Sequence, residues 1–434
     1  MNIAVITSGF LPVPPTKGGA VENLLYNLIK YNEKEMKVNF NIFSIYDKKA
    51  EEDAKKFKYT KIKFFKINHF IKCLDKMIFI FAKYILKKKN SQSYRFILQR
   101  LSFLNKISKD LKKNNYDKVL LENHPTQYLA LKWRKNYIKY NGRYYYHCHN
   151  EFPSEYGCDK IIKNTKKIIC VSKYIQSTLK KYNIAENKFV VLRNGVDENK
   201  FNSEISENKR LEIRKKYNIK KDNIVLIYTG RIVPEKGVLE LVKAFNQINE
   251  KKLKLLIVGS ALNAIKNKTL YEEKVEKEIS KNSNIIFTGF IEYSHISDVY
   301  KISDIAVLPS LWNDPAPLTI IESMRCGLAI ITTKSGGIPE YAKYDNAVFI
   351  ENNEKIVNNI ASSIEKLVEN NQMIGRMKSY SIINSEKLTV ENYYDDFIEI
   401  IKGKEKENGS ILHWNSAMRT VGINLWFKEC IRKK

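Results

Sequence analysis

Apolar positions along this chain fall in short continuous runs separated by amphipathic stretches. Runs rich in β-branched and aromatic residues, bounded by turn chemistry, predict buried parallel strands. In the first half they occupy 3–7, 38–44, 61–66, 118–121, 143–146, 167–171 and 189–192, with helical periodicity at 20–28, 126–137 and 173–182. The pattern breaks at Asn194-Gly195-Val196-Asp197, a turn-forming sequence, and 203–210 is polar and aperiodic. It then restarts, with strands at 223–228, 254–258, 284–287, 304–308 and 328–332 and helices between them, one at 294–301. Such alternation predicts an α/β protein of two doubly wound, Rossmann-like domains whose parallel sheets face a cleft. The boundaries read 1–195 for the first domain, 196–385 for the second, and 386–434 for helices returning toward the first domain plus a basic tail. At 434 residues two cores are the expectation.

Two segments leave this rhythm. Residues 55–118 hold 19 Lys+Arg, three Asp and a dozen aromatics, which predicts a basic, aromatic helical insertion. Its stretch FIKCLDKMIFIFAKYILKKK has the character of a helix lying on an anionic bilayer. The alternative is a helix packed on the sheet with solvated lysines. The tail after about 410 carries Trp414, Leu425, Trp426 and Phe427 with a basic end, and it could dock on the first domain, a partner or lipid.

Charge sharpens the division. The chain carries +28, but residues 1–200 hold 40 Lys+Arg against 17 Asp+Glu, and the remainder 35 against 30. The first half thus calls for an anionic partner: nucleic acid, an acidic membrane or a phosphorylated substrate. A Lys-rich composition bias explains part of this excess, although the second half shares it and stays balanced. The longest apolar stretch outside the strands, 77–82, is far short of the ~20 residues a bilayer needs, and no charged leader precedes the first strand. Six scattered cysteines without a C-x-x-C pair read as reduced thiols. These features predict a cytoplasmic protein, peripheral on the inner face of the cell membrane if its basic half meets lipid.

Chemistry gathers at strand ends. After 223–228 come Gly230 and Arg231, then Lys236 and Gly237 before a helix. An Arg and a Lys flanking a helix start can grip two phosphates. The segment Asp314-Pro-Ala-Pro-Leu318-Thr319-Ile-Ile-Glu322 opens another helix, whose free N–H groups at Leu318 and Thr319 suit a phosphate. Glu322, one turn in, could accept from two ribose hydroxyls, and Asp314 in the loop could meet sugar hydroxyls. Ser335-Gly336-Gly337-Ile338-Pro339-Glu340 forms a third glycine turn expected to face the same cleft. In the first half, Gly18 and Gly19 open a helix as a possible anion cradle that lacks P-loop order. Strand 143–146 runs into His147-Cys148-His149-Asn150, where His149 could donate to a sugar hydroxyl or a developing charge and His147 reads as structural. Zinc at His147, Cys148 and His149 is disfavoured because strand neighbours point apart and no further ligand is nearby in sequence.

Together GRIVPEKG, DPAPLTIIESMRCG, SGGIPE and the earlier RNGVD resemble the retaining glycosyltransferases of family 4, which have the GT-B fold. The resemblance runs from residue 2 to about 402, is strongest over 190–345, and in wording is nearest to spore-coat and surface-polysaccharide enzymes. It implies that Arg231 and Lys236 hold the donor diphosphate, Glu322 the ribose and Asp314 the transferred sugar. It also implies that Gly18 and Gly19 lie against the donor phosphates and acceptor. Asp314 departs from the family's Glu at that position by one methylene. The activity implied is transfer of a hexosyl unit from a nucleotide sugar, with UDP the expected nucleotide, to a glycan or polyprenyl-diphosphate-linked acceptor. The absence of any Asp-x-Asp leads us to expect no metal cofactor. Two other classes compete. Intact Arg231, Lys236, Glu322 and His149 count against a non-catalytic sugar-nucleotide-binding partner, and the Asp at 314 is the one residue that argues for it. A basic nucleic-acid-binding protein would have no use for the balanced second half, so no nucleic acid is expected.

Overall fold

The computed structural model describes residues 1–85, 95–261 and 269–403. Seven strands form the first sheet: β1 (Asn2–Ile6), β2 (Asn39–Ile45), β3 (Thr60–Phe65), β4 (Lys118–Glu122), β5 (Tyr144–Cys148), β6 (Ile168–Cys170) and β7 (Phe189–Val191). Their order is β3-β2-β1-β4-β5-β6-β7, every pair parallel. The second sheet holds β8 (Ile224–Thr229), β9 (Leu253–Val258), β10 (Ile285–Gly289), β11 (Ile305–Leu308), β12 (Ala329–Thr333) and β13 (Ala347–Ile350) in the order β10-β9-β8-β11-β12-β13, also all parallel. Two doubly wound, Rossmann-like domains are therefore present, as the alternation predicts. Strand β13, four residues at a sheet edge, is not among the strands the sequence predicts.

Most of 55–118 is ordinary sheet architecture. It contributes β3 and the helix Ile97–Lys113, whose Phe103, Ile107 and Leu111 are sealed in a core with Phe43 and Tyr116. Among the described residues of this segment, the helix His69–Ile80, continued by a π-helical turn over Phe81–Ile85, stands outside that plan. Its fully buried Asp75 accepts from the Leu98 and Gln99 N–H groups, both at 2.9 Å, and so caps the next helix where no local side chain does.

The chain crosses between domains twice. Val196 donates to the Leu388 carbonyl, and Val390 donates back to Val196, so the two crossings run side by side. The helix Val390–Lys402 then buries Tyr394, Phe397 and Ile401 among Ile3, Leu28 and Phe40 of the first domain. Tyr394 Oη donates to Asn32 Oδ1 at 2.7 Å. The tail after 403, and the docking alternatives drawn for it, lie outside the described residues.

Gly195 sets how closely the crossings approach. A Cβ there would stand 2.0 Å from the Thr389 carbonyl oxygen, which is backbone and cannot swing aside. Gly195→Ala should therefore destabilise the chain by about 1–3 kcal/mol. A urea midpoint equal to that of the unchanged protein would show that the crossings separate freely.

Candidate active site

The carboxyl ends of both sheets meet at a cavity of about 360 Å³. On the first-domain side its wall includes Gly19, His149 and Asn150; on the other it includes Gly230, Arg231, Lys236, Asp314, Leu318 and Thr319. Gly18 and Glu322 are outside that wall.

The second-domain wall is built from two strand-to-helix turns bound together. Leu311 donates to the Glu235 carbonyl at 2.9 Å, which fastens the Arg231–Gly237 turn to the loop after β11. Arg231 is exposed to the cavity, and its carbonyl accepts from Tyr228 Oη at 2.9 Å. The Lys236 ammonium bonds directly to the Asp314 carboxylate, so the two residues proposed to hold diphosphate and sugar are paired with each other. The helix Leu318–Arg325 begins at Pro317 with no side-chain cap, and its first residues form part of the wall. Free N–H groups at such an end favour an anion.

The third glycine turn does not face the cavity as the sequence suggests. A Cβ on Gly336 (φ 55°) would lie 2.4 Å from the Asp314 carbonyl, and one on Gly337 would lie 1.9 Å from that of Pro315. Gly337 N–H donates to Asp314 O at 2.8 Å. These glycines let the turn press against the Asp314 loop and hold it; of the turn, only Ile338 reaches the cavity.

Glu322 also differs from expectation. With Ile320, Ile321 and Met324 it faces inward, and it is 3% exposed. Both carboxylate oxygens are taken, by Tyr293 Oη at 3.1 Å and Tyr300 Oη at 2.9 Å. Burial raises its pKa against the pull of those hydroxyls and of Lys200. The same burial lowers Lys200 to about 8.

In the first domain, Gly19 (φ 110°) lines the cavity because the chain turns there over Glu22. A Cβ on Gly19 would lie 2.2 Å from Glu22 Oε2, while Ser8 Oγ donates to Oε1 at 3.1 Å. A carboxyl group thus sits beneath the expected anion cradle. Burial pushes Glu22 up to about 7.

His149 is in the cavity wall and His147 is sealed behind it. Both face Glu122, the last residue of β4, which pairs with His147 across the ladder. His147 Nδ1 lies 3.2 Å from Glu122 Oε1, and His149 Nε2 lies 3.1 Å from Oε2. Burial alone would raise the Glu122 pKa; His147 and His149 outweigh it and hold it at about 2. Burial, then His147, lowers His149 to about 4. Cys148 points elsewhere, its Sγ donating to Asn150 O at 3.1 Å. The third group near the histidines is therefore a carboxylate from the neighbouring strand, and donor atoms of Glu122, His147 and His149 lie within 4.8 Å of one another. Sequence reasoning missed Glu122 because adjacency across a ladder leaves no local motif. It missed Asn194 as well, which lines the cavity and donates to Ala316 O at 3.1 Å.

Two opposed Rossmann-like domains with a cationic, helix-headed wall between them define the GT-B class of fold. Residues 209–383 match the family model for glycosyl transferases group 1, and residues 77–200 match that for glycosyltransferase family 4. The chain belongs to the family 4 glycosyltransferases. Spore coat protein SA of Bacillus subtilis is 24% identical over 88% of this chain and 93% of its own length. Lipopolysaccharide 1,2-N-acetylglucosaminetransferase of Salmonella typhimurium is 30% identical over 46% of this chain, which spans about half (51%) of that relative. The crystal structure of Anabaena Alr3699/HepE in complex with UDP and glucose has the same fold, at TM-score 0.70, 17% identity, 93% of this chain and all (100%) of that one.

The Glu22 environment has a pH consequence. Its folded pKa of about 7 exceeds the ordinary 4.5, so the folded state binds the proton more tightly and loses stability as pH rises from 4.5 to 7. Glu22→Gln should remove that loss, gaining on the unchanged protein by up to about 3 kcal/mol between pH 5 and pH 8. Urea unfolding at the two pH values checks this; an identical pH difference in both proteins would refute it.

Proposed function

We propose that the protein transfers a hexosyl unit from a UDP-sugar to a hydroxyl of a glycan or polyprenyl-diphosphate-linked acceptor in cell-surface polysaccharide assembly, with retention of configuration. The observation that carries this reading is the convergence of Arg231, Lys236 and the uncapped start of helix Leu318–Arg325 on one wall of the cavity. Departure of a nucleoside diphosphate develops negative charge, and preorganised cations and N–H groups stabilise it more in the transition state than in the bound donor. No metal is needed in this scheme. The UDP-bound Anabaena structure and the lipopolysaccharide and spore-coat relatives support the donor and acceptor classes.

Donor binding then has a sequence of exchanges. The diphosphate draws Lys236 from Asp314, and Asp314 becomes free for a sugar hydroxyl. The ribose reaches Glu322 only by displacing Tyr293 and Tyr300, whose two hydroxyls hold it as a vicinal diol would. Attack by the acceptor hydroxyl on the face the diphosphate leaves, within a tight ion pair, forms the new C–O bond as the donor's breaks, passes the hydroxyl proton to the departing diphosphate and gives retention. Arg231→Ala should lower kcat for transfer by about 10²–10³-fold. Turnover of a panel of nucleotide sugars by both proteins is the measurement, and near-normal transfer by the variant would remove the diphosphate role. Donor binding without turnover in the unchanged protein would favour a non-catalytic partner of another transferase.

A lipid-linked acceptor brings the protein to the cytoplasmic face of an anionic membrane. No helix among the described residues is long and apolar enough to cross one. The helix beginning at His69 instead exposes Phe70 (67%), Met77 (65%) and Tyr84 (63%), with Ile80 and Phe81 between them. Lys72, Lys76 and Lys83 rim this stripe, and Arg95 lies 5.4 Å from the Phe96 ring. Apolar insertion with a basic rim is the pattern of an interfacial helix. Replacing Lys72 and Lys76 by Gln should weaken co-sedimentation with phosphatidylglycerol vesicles by about 1 kcal/mol per lysine and leave neutral vesicles unaffected. Equal binding of the unchanged protein to both vesicle types would eliminate the electrostatic contact.

A further inference from the structure

The sequence offers His149 as a hydrogen-bond donor to substrate; its surroundings point to the opposite polarity. Glu122 is 2% exposed and uses one oxygen for each of two imidazoles. An ionised carboxylate can only accept, so each ring nitrogen facing it must carry the proton. For His149 that nitrogen is Nε2. The neutral ring then has its lone pair on Nδ1, which has no partner among the described residues, on a residue that lines the cavity. His147 is fixed in the complementary sense: Nδ1 faces Glu122, and Nε2 is buried without a partner. A further titratable group near the cluster among the described residues is the Glu22 carboxyl beneath Gly19.

We propose that Glu122 is a positioning residue that locks His149 in the Nε2–H tautomer, so that His149 presents to the cleft an acceptor for a sugar hydroxyl's O–H. This rests on the transferase reading for its substrate but not for its tautomer. The consequence is selectivity of a simple kind. A hydroxyl placed against Nδ1 donates its hydrogen and gains electron density on oxygen, whereas a phosphate oxygen there finds a lone pair and is rejected. The anionic part of a donor is thereby directed to the Arg231 wall, and the hydroxyl-bearing part to His149.

Long-range ¹H–¹⁵N correlation of the full-length, ¹⁵N-histidine-labelled protein at pH 7.5, with His149→Asn for assignment, reads the tautomer directly. The expected result is a protonated Nε2 and an unprotonated Nδ1 at His149. Glu122→Gln, whose amide can donate to Nε2, should shift the ring toward the Nδ1–H form. It should also lower kcat for sugar transfer by about 10²-fold with donor KM within about threefold, and Glu122→Asp should restore part of the loss. A protonated Nδ1 in the unchanged protein would overturn the proposal. So would unaltered kcat in Glu122→Gln, or a stoichiometric divalent metal whose removal by chelator alters the His149 signals, since a metal at that nitrogen leaves no room for the proton. UDP-dependent thermal stabilisation is measured alongside. Its absence sinks the UDP-donor reading while the tautomer, read in the unchanged protein with His149→Asn used only for assignment, still decides Glu122's role.

Discussion

Glu340 reaches across the domain boundary and accepts the Lys173 and Tyr174 N–H groups, at 2.9 and 2.8 Å, at the start of a first-domain helix. The next residue, Tyr341, donates to Val171 O at 2.7 Å and accepts from Asn194 N–H at 3.2 Å. Two positions upstream of Pro339, Gly337 packs so closely on Pro315 and Ser172 that no side chain would fit. This single turn therefore touches the Asp314 loop on one side and the first domain on the other. The separation between His149 and the cationic wall depends on it. A glycine-rich turn that resembles a phosphate loop in sequence acts here as the clamp that gives the cleft its width.

Three carboxylates around the cleft show how environment assigns charge to one functional group. Glu122 faces two ring N–H donors and stays ionised down to about pH 2. Glu22 has two donors, its own backbone N–H and the Ser8 hydroxyl, and burial still raises it to about 7. Glu322 has two phenol donors and a distant ammonium, and burial still raises it. Donor count alone does not order them. What separates Glu122 is that its donors belong to groups able to take up positive charge, which stabilises an anion more than a phenol can.

The alternation of strand and helix, and the strand ends that carry Arg231, Lys236, Asp314 and His149, are legible in the sequence because each depends on local periodicity or on adjacency along the chain. Glu122 is not, since it meets His147 and His149 through a parallel ladder joining strands with 21 residues between them. The true role of Gly336 and Gly337 is hidden for the same reason: a glycine needed for φ or for close approach looks identical whether the neighbour is a phosphate or a carbonyl. Glu322 illustrates the remaining gap. Its helical face was readable as apolar, yet only the arrival of Tyr293 and Tyr300 from other segments shows that its oxygens are occupied.

Charge and chemistry are divided between the domains in opposite ways. The cations on the cleft wall, Arg231 and Lys236, belong to the second half, which carries 35 basic against 30 acidic residues. The first half, with 40 against 17, contributes to the cavity wall a glycine turn over a buried carboxyl and a neutral imidazole. Its excess of lysine is therefore not explained by the cleft. A positive field outside a cleft raises the local concentration of an anionic partner, and screening confines that effect to about 8 Å at physiological salt. The lysines effective for such a partner must then lie at the contact itself, which directs attention to the basic rim of the exposed helix after His69 rather than to the domain's net charge.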